Sequence, residues 1–172
     1  SGAKVAVVDA ERWARLLPLL GDLPALQQVL VCRASGDLGE SRHVQVRHWS
    51  DLLGPVAGWA ALPDRPLPDV DLSPDDDATL LYTSGTTGAA KGALGTHRCS
   101  TSTLMASAFS VARNFVRRGE PVPDPAARAT QRSLLLAIPF FHTTGCQVIL
   151  FGALHGGAKI VLMHRWEPEQ AM

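Results

Sequence analysis

The chain has 172 residues, of which 46% are hydrophobic, and its 16 basic and 16 acidic side chains balance to a formal net charge of zero. This composition supports a packed core, in one ordinary domain or a large piece of a bigger one, and excludes a disordered chain. It shows neither the basic stripe of a nucleic-acid binder nor an acidic tail, and its apolar runs are too short to span a bilayer, so no nucleic-acid partner and no transmembrane segment are expected.

The first elements alternate. Residues 4–9 (KVAVVD) form a short apolar, β-rich run that reads as a buried strand. Residues 10–20 have helical spacing, with Trp13, Leu16, Leu17 and Leu20 on one face, and Gly21 and Pro24 close the helix. Residues 29–32 read as a second strand, 34–41 as a polar turn, and the alternation around Val44 and Val46 as a third strand. Strand, helix, strand predicts an α/β fold with parallel or mixed sheets flanked by helices. Residues 54–77 carry Pro55, Pro63, Pro66, Pro68 and Pro74 and end in the acidic run 75–77. They read as a solvated surface connector, and the acidic run as the approach to the next strand rather than as a metal site.

A strand over 78–82 delivers the chain into the stretch YTSGTTGAAKG, residues 82–92. Beyond it, 93–94 extend briefly, and 97–114 have helical composition with Leu104, Ala108 and Val111 on one side. Residues 117–128, with Gly119, Pro121, Pro123 and Pro125, read as an exposed loop. A strand over 134–138 ends at Pro139, an apolar helix over 146–154 ends at Gly156 and Gly157, and 159–163 form a last strand. Residues 167–172 look like the first turn of a further helix. Both ends thus read as cut inside regular structure, and the chain is expected to be an internal piece of a longer protein. Cys32, Cys99 and Cys146 are far apart and odd in number, with no metal-ligand spacing. They read as reduced thiols of a cytoplasmic protein.

The stretch 82–92 poses the functional question. Glycines let backbone N–H groups turn toward a ligand, Thr and Ser hydroxyls donate to phosphate oxygens, and a lysine adds a mobile point charge. Lysine is scarce here, only Lys4, Lys91 and Lys159 being present, so a lysine inside the loop stands out. Strand, Gly/Thr-rich loop with Lys, then helix is the order of an anion site. It is not the P-loop of nucleotide triphosphatases, Gly-x-x-x-x-Gly-Lys-Ser/Thr. Aligned from Gly85, Ala90 stands where that motif needs Gly, and Gly92 where it needs the magnesium-binding hydroxyl.

Residues 83–92 closely resemble the signature of the acyl-adenylate-forming enzymes, the superfamily of acyl-CoA synthetases, nonribosomal peptide adenylation domains and luciferases. Its pattern is roughly Ser/Thr-Ser-Gly-Ser/Thr-Thr-Gly-x-Pro-Lys-Gly. Thr83, Ser84, Gly85, Thr86, Thr87, Gly88, Lys91 and Gly92 match, and Ala90 replaces the usual Pro, which loosens the approach to Lys91. Residues 138–145 (IPFFHTTG) are similar to a second family segment beside the carboxylate substrate. The flanks 156–166 and the opening residues extend the resemblance over nearly the whole chain, most closely toward bacterial fatty-acid–CoA ligases.

The resemblance implies part of the N-terminal domain, residues 1–172, of an ATP-dependent fatty-acid–CoA ligase, with ATP, Mg²⁺ and coenzyme A as its small-molecule partners. A carboxylate would attack the α-phosphate of ATP, expel pyrophosphate and form an acyl adenylate. The coenzyme A thiol would then displace AMP. Thr83, Ser84, Gly85, Thr86, Thr87 and Gly88 would contact the phosphates, with Lys91 as an electrostatic clamp. His142, Thr143 and Gly145 would line the acyl pocket. The Mg²⁺ ligand, the ribose ligand and the mobile C-terminal lysine of the family are expected beyond Met172, with Thr86 a secondary metal contact. The isolated chain is therefore expected to be inactive and to self-associate through faces left uncovered. The alternatives are an aryl- or amino-acid-activating ligase of the same superfamily, or a non-catalytic nucleotide-binding remnant. The absence of an acidic residue directly after the Phe pair disfavours an amino-acid activator. His43, His48, His97, His155 and His164 show no ligand spacing and read as surface or structural residues.

Overall fold

The structure is a computed structural model that describes residues 2–85, 88–124, 127, 130–163 and 165–171. The expectations placed on Thr86, Thr87, Pro125 and His164 lie outside the described residues. The chain divides into two compact units, Ser1–Pro68 and Asp69–Met172.

The first unit is built on three parallel strands in the order β1 (Val5–Asp9), β2 (Gln28–Cys32) and β3 (Gln45–His48). Register pairs Val29 with Ala6 on one side and Val46 on the other, and Val31 with Val8, so one pleat face carries an apolar row. Trp13, Leu26 and Val44 close over that row to form the core, in which Val29 is 0% exposed. Trp13 comes from α1 (Ala10–Leu16), and its indole N–H donates to the Leu38 carbonyl at 3.0 Å, satisfying the polar end of a buried ring. Asp9 caps α1: its carboxylate accepts from the Arg12 backbone N–H at 2.9 Å and pairs with the Arg12 guanidinium. The predicted helix over 10–20 is α-helical only to Leu16 and then tightens into a 3₁₀ turn, Leu17–Asp22. Pro18 has no N–H to continue the ladder, and the changed rotation leaves Leu17 exposed while Leu16 and Leu20 stay against the core. Beyond β3 the chain makes a short helix α2 (Trp49–Leu53) and a 3₁₀ turn, Val56–Ala61, where the proline content predicts only connector. Residues 62–76 are exposed throughout, as a solvated connector requires.

The second unit holds two separate strand pairs. β4 (Asp77–Thr83) and β5 (Lys91–Thr96) form an antiparallel hairpin. β6 (Ser133–Leu136) and β7 (Lys159–Leu162) pair in parallel. Between the pairs lies α3 (His97–Arg117), longer than predicted by three residues, with a Thr96 side-chain cap on the Cys99 N–H at 3.3 Å. Between β6 and β7 the chain makes π-helical turns, Thr144–Leu150, that run into α4 (Phe151–His155); a short α5 (Pro168–Ala171) follows β7. The fold is mixed α/β, with small parallel and antiparallel sheets flanked by helices, as the element order predicts. Among the described residues no helix is long and apolar enough to cross a membrane.

Candidate anion-binding loop and acyl segment

The Gly/Thr-rich stretch is the tip of the β4–β5 hairpin. Thr83 is paired with Lys91 across the ladder, and the Thr83 hydroxyl donates to the Lys91 carbonyl at 3.5 Å, so this pair ends the described ladder. Gly85 has φ +61°, and a Cβ there would overlap the Ala89 carbonyl oxygen. The turn folds back on itself through Gly85, and no other residue fits that backbone. The same built Cβ would lie 3.9 Å from Lys91 Cγ, so the lysine stem runs alongside the turn. Ser84 and Lys91 are exposed, and among the described residues no hydrogen bond or ion pair engages the Ser84 hydroxyl or the Lys91 ammonium. A tight glycine turn with an open hydroxyl and an open cation offers donors of the kind that anions accept from.

The predicted order of strand, loop, helix is not what forms. The loop is followed by β5, and α3 starts only at His97. The first amides of α3 are already engaged: His97 N–H donates to Asp76 O at 3.1 Å, Arg98 N–H to Pro74 O at 2.7 Å and Cys99 N–H to the Thr96 hydroxyl. These three amides of the α3 N-terminus are therefore not open to the loop.

The acidic run is consumed in anchoring this hairpin. Arg98 of α3 makes a two-pronged ion pair with Asp75, Nε to Oδ1 at 2.7 Å and Nη2 to Oδ2 at 2.9 Å. The Asp76 carboxylate accepts from the Ser73 N–H at 2.8 Å. The Arg98 hydrogen bonds hold the Asp75 carboxyl below its ordinary value of 3.8, and Asp75 in turn raises Arg98. Beside them, a hydrogen bond from the Thr96 hydroxyl at 3.4 Å lowers the Cys99 thiol. Among the described residues no group of three or more His, Cys, Asp or Glu side chains is placed to hold a metal ion. The groups described at the hairpin tip, a hydroxyl and an ammonium, have the chemistry of anion donors rather than of a Mg²⁺ cage.

The second predicted segment follows β6. β6 ends at Leu136, short of the predicted 138, and the chain then turns: His142 N–H donates to Pro139 O at 3.1 Å, and Cys146 N–H to His142 O at 2.9 Å. Gly145 is buried, and a Cβ on it would overlap the carbonyl oxygens of Pro139 and Ile138. The lack of a side chain there lets the turn close. His142 and Thr143 are exposed on that turn. The His142 ring lies against Phe141, with centroids 4.7 Å apart and planes tilted by 47°, and Phe141 is 70% exposed. This is an open shelf with an aromatic face and an imidazole edge.

Sequence reasoning missed the residue that joins this shelf to the hairpin. Gln147, buried in the π-helical turns, donates from Nε2 to Thr79 Oγ1 of β4 at 3.4 Å. The available signal was a single amide inside the apolar run CQVILFGAL, which reads only as a helix interior unless its partner is known.

Residues 1–172 match the sequence profile of the AMP-binding enzymes over the whole chain. A 4-coumarate-CoA ligase from Narcissus pseudonarcissus is 30% identical over 168 residues, covering 97% of this chain and 26% of the relative. A 4-coumarate–CoA ligase-like protein from Oryza sativa subsp. japonica is 26% identical over 172 residues, covering all of this chain and 27% of the relative. The chain thus spans about a quarter of the length of the curated relatives it matches. Among solved structures, ATP-bound MatB from Rhodopseudomonas palustris superposes with a TM-score of 0.58 at 21% identity, over 99% of this chain and 27% of that one. That likeness shows the fold.

Proposed function

The chain belongs to the AMP-binding enzyme family, and from that premise we propose that it is part of an ATP-dependent ligase joining a carboxylic acid to coenzyme A, with an aryl acid as the preferred substrate. The observation that carries the nucleotide half is the Gly85 turn: a backbone folded onto Ala89, with Ser84 exposed and flanked by an exposed Lys91. A triphosphate offers the charge such a turn lacks, and the nucleotide lies within the family's common chemistry. In this reading the loop residues Thr83, Ser84, Gly85, Thr86, Thr87 and Gly88 hold the phosphates. Lys91 offsets the charge that builds on the departing pyrophosphate.

The choice of acid rests on the relatives. The sequence alone leans toward a fatty acid, whereas one plant relative is named a 4-coumarate-CoA ligase and the other 4-coumarate–CoA ligase-like, and the exposed Phe141 and His142 faces suit a flat ring. Mg²⁺ would supply charge neutralisation on the phosphates, and among the described residues no group of three or more His, Cys, Asp or Glu side chains would hold it. A cytoplasmic location and a longer parent protein belong to the same proposal.

The test is ATP–pyrophosphate exchange by the full-length ligase, with cinnamic-type and fatty acids offered side by side. Aryl-dependent exchange supports the reading, and exchange with fatty acids alone restores the fatty-acid alternative. Lys91→Ala is expected to lower exchange by about 2–4 kcal/mol of transition-state stabilisation, the scale of losing one preorganised charge partner. An unchanged rate in that variant removes Lys91 from the role given to it. The 172-residue chain alone is expected to give no exchange.

A further inference from the structure

Gln147 is 9% exposed in the π-helical turns, a short way past His142. Its amide reaches out of that segment to Thr79 Oγ1 of β4 at 3.4 Å. Thr79 stands opposite Gly95 in the hairpin register. A Cβ at Gly95 would overlap Thr79 Oγ1 at 2.7 Å and would only touch Gln147 Nε2, at 3.7 Å, so the missing side chain is what admits the Thr79 hydroxyl that the amide meets. The hairpin closed by the Gly85 turn is therefore gripped near its base by an amide from the segment that carries His142. A threonine hydroxyl both donates and accepts, so either orientation of the amide makes this contact. A buried amide without a partner is unfavourable, which ties the placement of one segment to the other. Gln147 carries no charge and no nucleophile, and what it can contribute is geometry.

We propose that Gln147 is a positioning residue: through Thr79 it sets the acyl segment 138–145 in register with the phosphate-loop hairpin, so that carboxylate and nucleotide meet in one orientation. This rests on the ligase reading above. Misalignment of reacting groups lowers the rate of the chemical step more than it weakens the binding of either substrate.

The experiment is a double-mutant cycle in the full-length ligase with Gln147→Leu, Thr79→Val and their combination. It is read as kcat and KM for ATP–pyrophosphate exchange with the acid the wild type uses best, and thermal midpoints are recorded in parallel. Each single variant is expected to lower kcat roughly three- to tenfold, the range of one net hydrogen bond, with smaller changes in both KM values. The double variant should lose no more than either single one. Thr79→Ser, which keeps the hydroxyl, should retain the wild-type kcat. Should Gln147→Leu fail to fold, the contrast between Thr79→Val and Thr79→Ser carries the same test. Additive losses, or losses that only track the thermal midpoint, overturn the positioning role. A change confined to the KM for the acid, with Thr79→Val silent, makes Gln147 a pocket residue and also overturns it. Absence of exchange in the wild type with every acid overturns the ligase reading itself, a result distinct from these.

Discussion

Three glycines show at residue scale how much a missing side chain can specify. At Gly85 both the positive φ and the overlap with the Ala89 carbonyl forbid a Cβ, and the obstacle is backbone, which cannot swing aside. Gly85→Ala should therefore distort the turn at a cost of about 1–3 kcal/mol, the scale of a non-glycine residue forced into the left-handed region. We expect weaker binding of ATP to the full-length ligase by isothermal titration calorimetry. Retention of wild-type affinity would refute the account of the turn. Gly145 is equally constrained, against the carbonyls of Pro139 and Ile138. At Gly92, by contrast, the nearest atom is the end of the flexible Leu80 side chain, 2.8 Å from a built Cβ, which can move. The family motif names Gly85, Gly92 and Gly145 alike. Only the surroundings distinguish a glycine that shapes a turn from one that makes room for a neighbouring side chain.

At the scale of elements, the hairpin and the start of α3 are held together by the acidic run. Asp75 is kept ionised by Arg98, below its ordinary value of 3.8. A carboxyl held below its unfolded value stabilises the fold above that value and ceases to do so as pH falls through the folded one. The urea midpoint of the wild type should thus fall toward that of Asp75→Asn as pH drops below about 4, and exceed it near neutrality. Parallel curves across that range would show that the pair contributes nothing to this dependence. β5 is the element least legible in the sequence. KGALGT has no alternation and two glycines, so a single-sequence reading finds at most a two-residue extension. In the fold, Gly92 and Gly95 mark where the Leu80, Tyr82 and Thr79 side chains of β4 cross close to the partner backbone. A glycine that admits a neighbour and a glycine that ends a strand look the same until the neighbour is placed. The shortening of the first helix is the opposite case, since the lost N–H of Pro18 was written in the sequence.

Over the whole molecule, each unit leaves large apolar side chains open. On the first, Val5 and Val7 lie on the face of β1 turned away from the core. On the second, Phe109 of α3 is 67% exposed and Leu94 of β5 is 61% exposed, with Met105 and Tyr82 also open. Exposed apolar area of this kind drives association that salt does not screen. The 172-residue chain is expected to self-associate in sedimentation velocity, its mean mass rising with concentration and not falling at high ionic strength. A monomer at all concentrations would contradict this.

What the sequence by itself determined is the chemistry that can be written locally. The α/β class followed from the order of apolar runs, and the family from the Gly, Thr and Lys positions of residues 82–92 and from the segment around His142. Such features depend on which residues are neighbours along the chain. Only the tertiary structure decided that the loop caps an antiparallel hairpin rather than opening a helix, that the acidic run serves Arg98 and the backbone, and that Gln147 bridges to Thr79. Each of these depends on contacts between residues distant in sequence, and such pairing is set by which surfaces can close together, a property no stretch of sequence carries alone.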